Sequence, residues 1–154
     1  MPIPALAGHL AATATPLAAV LALLYALAPR LRRGLRWPAL AAAALAAGTC
    51  IWAGAAGSDL YRTYVDTVGA DALRTTAYVH AKAADDLTIA AGALLIVLLA
   101  VVWRPLAPDR PRSVGQVIAI VLVTLAALAT FWTTWTTVSL ALESVWAHHT
   151  AWKA

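Results

Sequence analysis

The sequence has a single cysteine, Cys50, and few charged residues. One cysteine excludes an intramolecular disulfide and a dithiol redox centre within one chain. Asp, Glu, Lys and Arg make up 12% of the 154 residues, whereas soluble domains usually carry about 25%. The spacings HExxH, CxxC and His-x3-His do not occur in it, so a zinc hydrolase has no motif to support it. The low charge instead favours a membrane protein.

Long apolar runs make up most of the chain, which is 62% hydrophobic with a mean hydropathy of +0.78. Its length allows about four membrane spans of roughly 20 residues each. We predict an all-α integral membrane protein, a four-transmembrane-helix bundle that residues 1–154 form as one domain. No Lys or Arg precedes the first run, which is therefore predicted to be a retained span and not a cleavable signal peptide. The predicted spans are 8–28, 38–57, 87–103 and 114–136, with an extramembrane helical segment at 71–86 and a long fourth helix that projects to about residue 149.

Basic residues cluster in the two short loops between spans one and two and between spans three and four. Together these loops hold seven arginines and one aspartate. The positive-inside rule then predicts that both loops are cytoplasmic and that the N- and C-termini lie on the outer side. The loops also account for the pI near 9.7, so we predict no nucleic-acid binding. The chain is predicted to be a multi-pass protein of a bacterial plasma membrane, in contact with the lipid bilayer. The arginines are Arg30, Arg32, Arg33, Arg36, Arg104, Arg110 and Arg112.

All four histidines of the chain fall on the predicted outer side. Imidazole is the commonest protein ligand for zinc, copper and haem iron, and bundle cofactors are held by side chains of facing helices. His9 and His80 belong to different helices. We therefore predict that His9 and His80 bind haem b or a copper or zinc ion, with Asp59 and His148 as further metal ligands. An alternative stays open, in which the histidines lie at the interface and hydrogen-bond headgroups or backbone.

Helical phase separates His80 from its charged neighbours. His80, Ala84, Leu87 and Ala91 form a stripe that is predicted to face the bundle, whereas the carboxylates after Lys82 belong to a solvated patch. Asp59, at the end of span two, either caps the next turn or accepts a hydrogen bond from a histidine. Candidates for a second shell or a pocket wall around the cofactor are Asp85, Glu143, Trp132 and Trp135, for which the alternatives are solvated carboxylates and interfacial aromatic anchors.

A loose motif connects the two best histidines. His9 stands seven residues before Pro16, Gly57 and Asp59 close the second span, and His80 precedes the third. In this pattern the chain resembles the bacterial membrane family known as domain of unknown function 2231, over nearly its whole length. The resemblance implies a four-helix membrane domain without an established activity.

The sequence departs from that family at one position. Family members typically have a second histidine just before the proline, where this chain has Ala14. Some relatives are fused to Rieske-type iron–sulfur domains, so the resemblance also implies redox work near the membrane. The composition, rich in alanine and arginine, is similar to that of high-GC actinobacteria.

Three functions remain as hypotheses from the sequence. The first is a small membrane protein that binds haem or a transition metal at its outer face and transfers electrons to or from a redox partner there. The second is a non-catalytic accessory or scaffold subunit that packs its small-residue helices against a larger membrane complex. The third is an oligomeric channel or small-solute transporter, although the span centres lack the ionisable residues that mark proton pathways. No catalytic residue is assigned.

Overall fold

The computed structural model describes residues 3–68, 76–108 and 113–146, and all regular structure in these ranges is helical. The all-α prediction is therefore confirmed for the described residues. In chain order, the elements are α1 (Ile3–Leu27), a short 3-10 turn (Pro29–Leu31), α2 (Arg32–Val68), α3 (Thr76–Val102) and α4 (Val114–Trp146).

Four helices are long and apolar enough to cross a membrane. Their apolar stretches have 22, 30, 25 and 30 residues, and about 20 helical residues cross the hydrocarbon core of a bilayer. The predicted number of spans is confirmed at this level. The stretches are Leu6–Leu27, Pro29–Ser58, Tyr78–Val102 and Val114–Glu143.

Helix α2 differs from the predicted second span at both of its ends. It begins at Arg32, so that Pro38 is the seventh residue of the helix and removes one backbone hydrogen bond, that to the Gly34 carbonyl. Prolines inside transmembrane helices are tolerated because neighbouring groups can satisfy the freed carbonyl. The helix also continues past Gly57 and Asp59 to Val68. Gly57 keeps a negative φ and not the left-handed backbone that commonly ends helices. The prediction that Asp59 caps a following turn is therefore wrong.

The long fourth helix is confirmed as far as Trp146, well beyond the predicted end of its span. Helix α3 likewise begins at Thr76, about seven turns before its end. The predicted helical segment at 71–86 is thus helical from Thr76 onward, and its first residues lie outside the described ranges. Residues 147–149 of the predicted projection also lie outside them.

The four helices form a ring in which each packs against two others. Helix α1 packs on α2 and α4, α3 packs on the same two, and α1 and α3 are diagonally opposite. Alanine dominates the inward faces, and small residues let helix backbones approach closely. The core therefore holds little side-chain volume on α1 and α2 and larger side chains on α3. Its fully buried members include Ala18, Ala19, Ala22, Ala26, Ala43, Leu94, Leu98 and Val123.

Threonine hydroxyls join α4 to both of its neighbours. Thr134 donates to the Thr15 hydroxyl of α1 at 3.0 Å, and Thr137 donates to the Ala83 carbonyl of α3 at 3.0 Å. Each donor also lies 2.7 Å from a carbonyl of its own helix, so one proton is shared between two acceptors. Such interhelical bonds contribute on average about 0.6 kcal/mol in membrane proteins. They fix the register of α4 more than they hold the bundle together.

Candidate functional site

His80 lies on the inward side of α3, at the end of the bundle that we call the histidine end, where α1 and α3 begin. Its side chain is half-buried, and its Nδ1 is buried without a hydrogen-bond partner among the described residues. Leu87 and Ala91 below it are buried, whereas Lys82 is exposed. The predicted phase of this helix is confirmed. A buried ring nitrogen without a partner is costly, because the lost hydrogen bonds to water are not replaced.

His9 lies on the opposite face of α1 from the bundle core. The residues that α1 buries here are Ala7 and Ala11, and His9 between them is exposed. Because α1 and α3 are also diagonally opposite, His9 does not face His80 across the interior. The structure therefore does not bring the predicted haem-binding pair together within one bundle.

Small and apolar side chains fill the interior beneath the histidine end. Ala11, Cys50, Leu87 and Ala91 form a buried cluster there, with Ala53 packed against it. The three helices that supply the cluster are α1, α2 and α3. A flat cofactor between α1 and α3 at this level would have to displace these side chains.

The other two predicted metal ligands are Asp59 and His148. Asp59 lies in the continuous helix α2, in a segment whose side chains are outside the described part, and His148 is outside the described ranges. Among the side chains that the structure describes, no three of His, Cys, Asp or Glu are grouped as an ion would require. Asp85 and Glu143 are both exposed. The prediction that Asp59 and His148 act as further ligands falls on side chains outside the described part of the structure.

Trp132 and Trp135 face outward from α4 and are 69% and 70% exposed. Each lines a shallow groove on the outside of the bundle. Trp132 belongs to a groove of about 460 Å³ between α3 and α4, to which α3 contributes Lys82 and Asp86. Trp135 belongs to a groove of about 260 Å³ beside Pro16. The tryptophans are thus placed as interfacial anchors are, and they also form walls of open grooves.

The opposite end, which we call the arginine end, contains a buried cation. Arg32 is only 3% exposed and donates from Nε to the Tyr25 carbonyl at 3.2 Å and from Nη2 to the Ala26 carbonyl at 2.8 Å. Tyr25 is fully buried and donates its hydroxyl to the Leu106 carbonyl at 2.8 Å. The last carbonyls of a helix have no donor within the helix. At the end of α1, Arg32 donates hydrogen bonds to two of these carbonyls.

A second arginine at this end is held by tryptophan rings. The guanidinium carbon of Arg36 lies 4.1 Å from the ring centroid of Trp103 and 5.6 Å from that of Trp37. The two rings meet edge to face, with centroids 5.7 Å apart. In the sequence analysis, Arg36 serves only as one of the arginines that indicate topology. The available signal was that Arg36 adjoins Trp37 and that Trp103 adjoins Arg104 at the same predicted end.

The outward face of α2 differs from those of the other helices. Ala41, Ala44, Gly48 and Ala55 are exposed along one stripe of it, interleaved with the exposed large side chains of Leu45, Ile51 and Trp52. A Cβ added to Gly48 would meet no atom within 4 Å. The exposed positions of α4 are instead mostly large aliphatic side chains, and α3 exposes several of them in its apolar part. They include Ile89, Ile96 and Leu99 of α3 and Val117, Ile118, Val121, Leu122, Leu125 and Leu128 of α4.

No family model, curated protein or solved structure matches this chain. The resemblance to domain of unknown function 2231 accordingly stays a prediction from the sequence motif.

Proposed function

We propose that this chain is a non-catalytic accessory subunit of a larger complex in the bacterial plasma membrane, with the arginine end in the cytoplasm. The observation that carries the proposal is Gly48, which faces outward in the middle of α2 and has open space around it. Glycine inside a helix costs about 1 kcal/mol relative to alanine. Nothing within the monomer needs the missing side chain at this position.

A partner helix gives Gly48 a physical role. Helices in lipid associate through van der Waals packing, and small residues four apart let two backbones come close. Ala44 and Gly48 have this spacing, and Ala41 and Ala55 continue the same face. Large aliphatic side chains, such as those on α3 and α4, are well matched to lipid chains. The small residues around Gly48, which we call the small face of α2, therefore offer a position where the backbone of another transmembrane helix can approach α2 closely.

Gly48→Leu is expected to weaken association with the partner about tenfold, because a bulky side chain separates the two backbones by more than the close contact tolerates. The measurement is site-specific photocrosslinking in native membranes, with the photoreactive residue at Leu45 beside the small face. A matched probe at Ile96 tests the outward face of α3. We expect a larger membrane protein to be crosslinked from position 45 and not from 96, and the product to be lost with Gly48→Leu.

The control variant is Ala93→Leu, which adds similar bulk to an exposed position in the middle of α3. It should leave the crosslinked product unchanged. Equal crosslinking from positions 45 and 96, or a product that survives Gly48→Leu, would contradict the proposal. A product of twice the mass of the chain would show a homo-oligomer instead of an accessory subunit.

A second candidate function rests on His80. Its buried Nδ1 has no partner among the described residues, and an imidazole nitrogen in that state is a suitable ligand for haem iron, copper or zinc. One imidazole holds an ion weakly, so a second ligand is required. His9, the partner predicted from the sequence, faces away from His80, so the candidate is His148, which the sequence predicts as a further ligand. We propose this alternative as an electron-transfer site at the outer face that serves a redox partner there.

Absorbance spectra of the oxidised and reduced protein, together with elemental analysis, test this second candidate. If it is correct, His80→Ala and His148→Ala lose the Soret band or the bound metal, while His9→Ala keeps it because His9 faces away from His80. Loss of the Soret band or metal in His9→Ala as well would support a site formed by His9 of one chain and His80 of another. A colourless preparation with no stoichiometric metal would rule out this function and leave the accessory role untouched.

A further inference from the structure

Arg36 is fixed in position by two rings at the arginine end of the bundle. Trp37 comes from the same helix, and Trp103 follows the last residue of α3. An arginine over a tryptophan face gains cation–π attraction, which strengthens where water is excluded. The planar guanidinium is thus held where α2 and α3 meet, and binding an anion would cost it little conformational entropy.

Arg36 differs from Arg32 in the use of its hydrogen-bond donors. Arg32 gives Nε and Nη2 to the end carbonyls of α1, whereas the Nε of Arg36 is buried and has no hydrogen-bond partner among the described residues. Guanidinium groups present their donors in a rigid fork that matches the oxygens of a phosphate. Arg36 therefore combines a fixed orientation with an unused buried donor.

The local charge favours an anion at the same point. Arg32, Arg33 and Arg36 occupy the first two turns of α2, and its first turn contains no acidic residue. The N-terminus of a helix carries a partial positive charge, which disfavours the arginines near it and favours a bound anion. Arg32 is buried and donates to the end of α1, whereas the Arg36 side chain is partly exposed.

Trp37 and Trp103 are 63% and 52% exposed, as aromatic residues at a membrane interface are. A phosphate bound by Arg36 would then lie at headgroup depth, and acyl chains attached to it would continue along the apolar helices. We propose that Arg36, held between Trp37 and Trp103, binds the phosphate of an anionic phospholipid of the leaflet at the arginine end. Basic groups on the cytoplasmic side of helix bundles bind such headgroups in other membrane proteins.

The test is native mass spectrometry of the whole protein, extracted in mild detergent and titrated with phosphatidylglycerol or phosphatidylcholine. The wild type should retain phosphatidylglycerol selectively. Arg36→Gln should weaken that retention at least about fivefold, which is the factor expected for one cation near the membrane surface. The matched control is Arg30→Gln, which removes an equal charge from an exposed position in the preceding turn and should change retention less than twofold.

Arg36→Lys distinguishes the contribution of the planar guanidinium donors from that of the positive charge. It keeps the cation but loses the Nε donor and the planar stacking, and an intermediate loss of two- to threefold is expected. Circular dichroism tests whether each variant is folded. If Arg36→Gln does not fold, the lipid retention of Arg36→Lys alone tests the proposal. Wild-type binding by Arg36→Lys, or an equal loss in Arg30→Gln, would overturn the proposal in favour of diffuse attraction. Displacement of the lipid by excess glycerol phosphate would show that the site takes free phosphate and is not a lipid site.

Discussion

Arg32→Gln is expected to lower the free energy of unfolding of the bundle by about 2–4 kcal/mol. The guanidinium of Arg32 is buried and donates to the carbonyls of Tyr25 and Ala26 at the end of α1. Glutamine is too short to reach both acceptors, so they would be left buried without a donor, and such a loss costs about 1–3 kcal/mol for each group. The favourable interaction of a cation with the negative end of the helix dipole would be lost as well.

The measurement is denaturant unfolding of the purified protein in a detergent micelle, followed by circular dichroism. Arg30→Gln is the control, because it removes an arginine from the preceding turn where the side chain is exposed; its effect should stay within about 0.5 kcal/mol. Arg32→Lys keeps the charge with fewer donors and should fall between the two. If Arg32→Gln were as stable as Arg30→Gln, the buried cation would have no structural role.

The large features of the fold follow from periodicity and hydropathy that the sequence displays. The number of apolar stretches, the long α4 and the inward phase of His80 and Leu87 are all local properties of one helix. The ends of α2 are different, because both Pro38 and Gly57 are compatible with helix and with its termination. Packing of the flanking residues decides between the two, and a single sequence does not contain that information.

The contacts of the candidate site residues depend even more on packing that a single sequence does not reveal. The sequence predicts His9 and His80 as a pair because they belong to different helices on the predicted outer side. The side of the membrane does not determine the direction in which a side chain points around its helix. The alanines at 7 and 11 already indicate that His9 faces outward. The contact of Arg36 with Trp103 joins residues far apart in the chain, and it depends on α2 and α3 being neighbours in the ring.

Ala43→Leu is expected to destabilise the monomer by about 3 kcal/mol or more. Ala43 is fully buried in α2 and belongs to the same core cluster as Ala18 and Ala22 of α1. Close packing of alanine faces leaves no space for three additional carbons, so the two backbones must separate. Separation also reduces the dispersion contacts that hold helices together in lipid. Unfolding in detergent, as for Arg32, measures the loss.

The adjacent residue provides the control for this substitution. Ala44 is exposed, so Ala44→Leu makes the same chemical change on the outward face and should leave monomer stability within about 0.5 kcal/mol. In the native membrane the ranking should reverse for partner binding, because Ala44 belongs to the small face around Gly48. A variant that is stable but loses the crosslink separates the two faces of α2. Equal destabilisation by both substitutions would mean that Ala44 also packs inside the monomer and that the small face is not free for a partner.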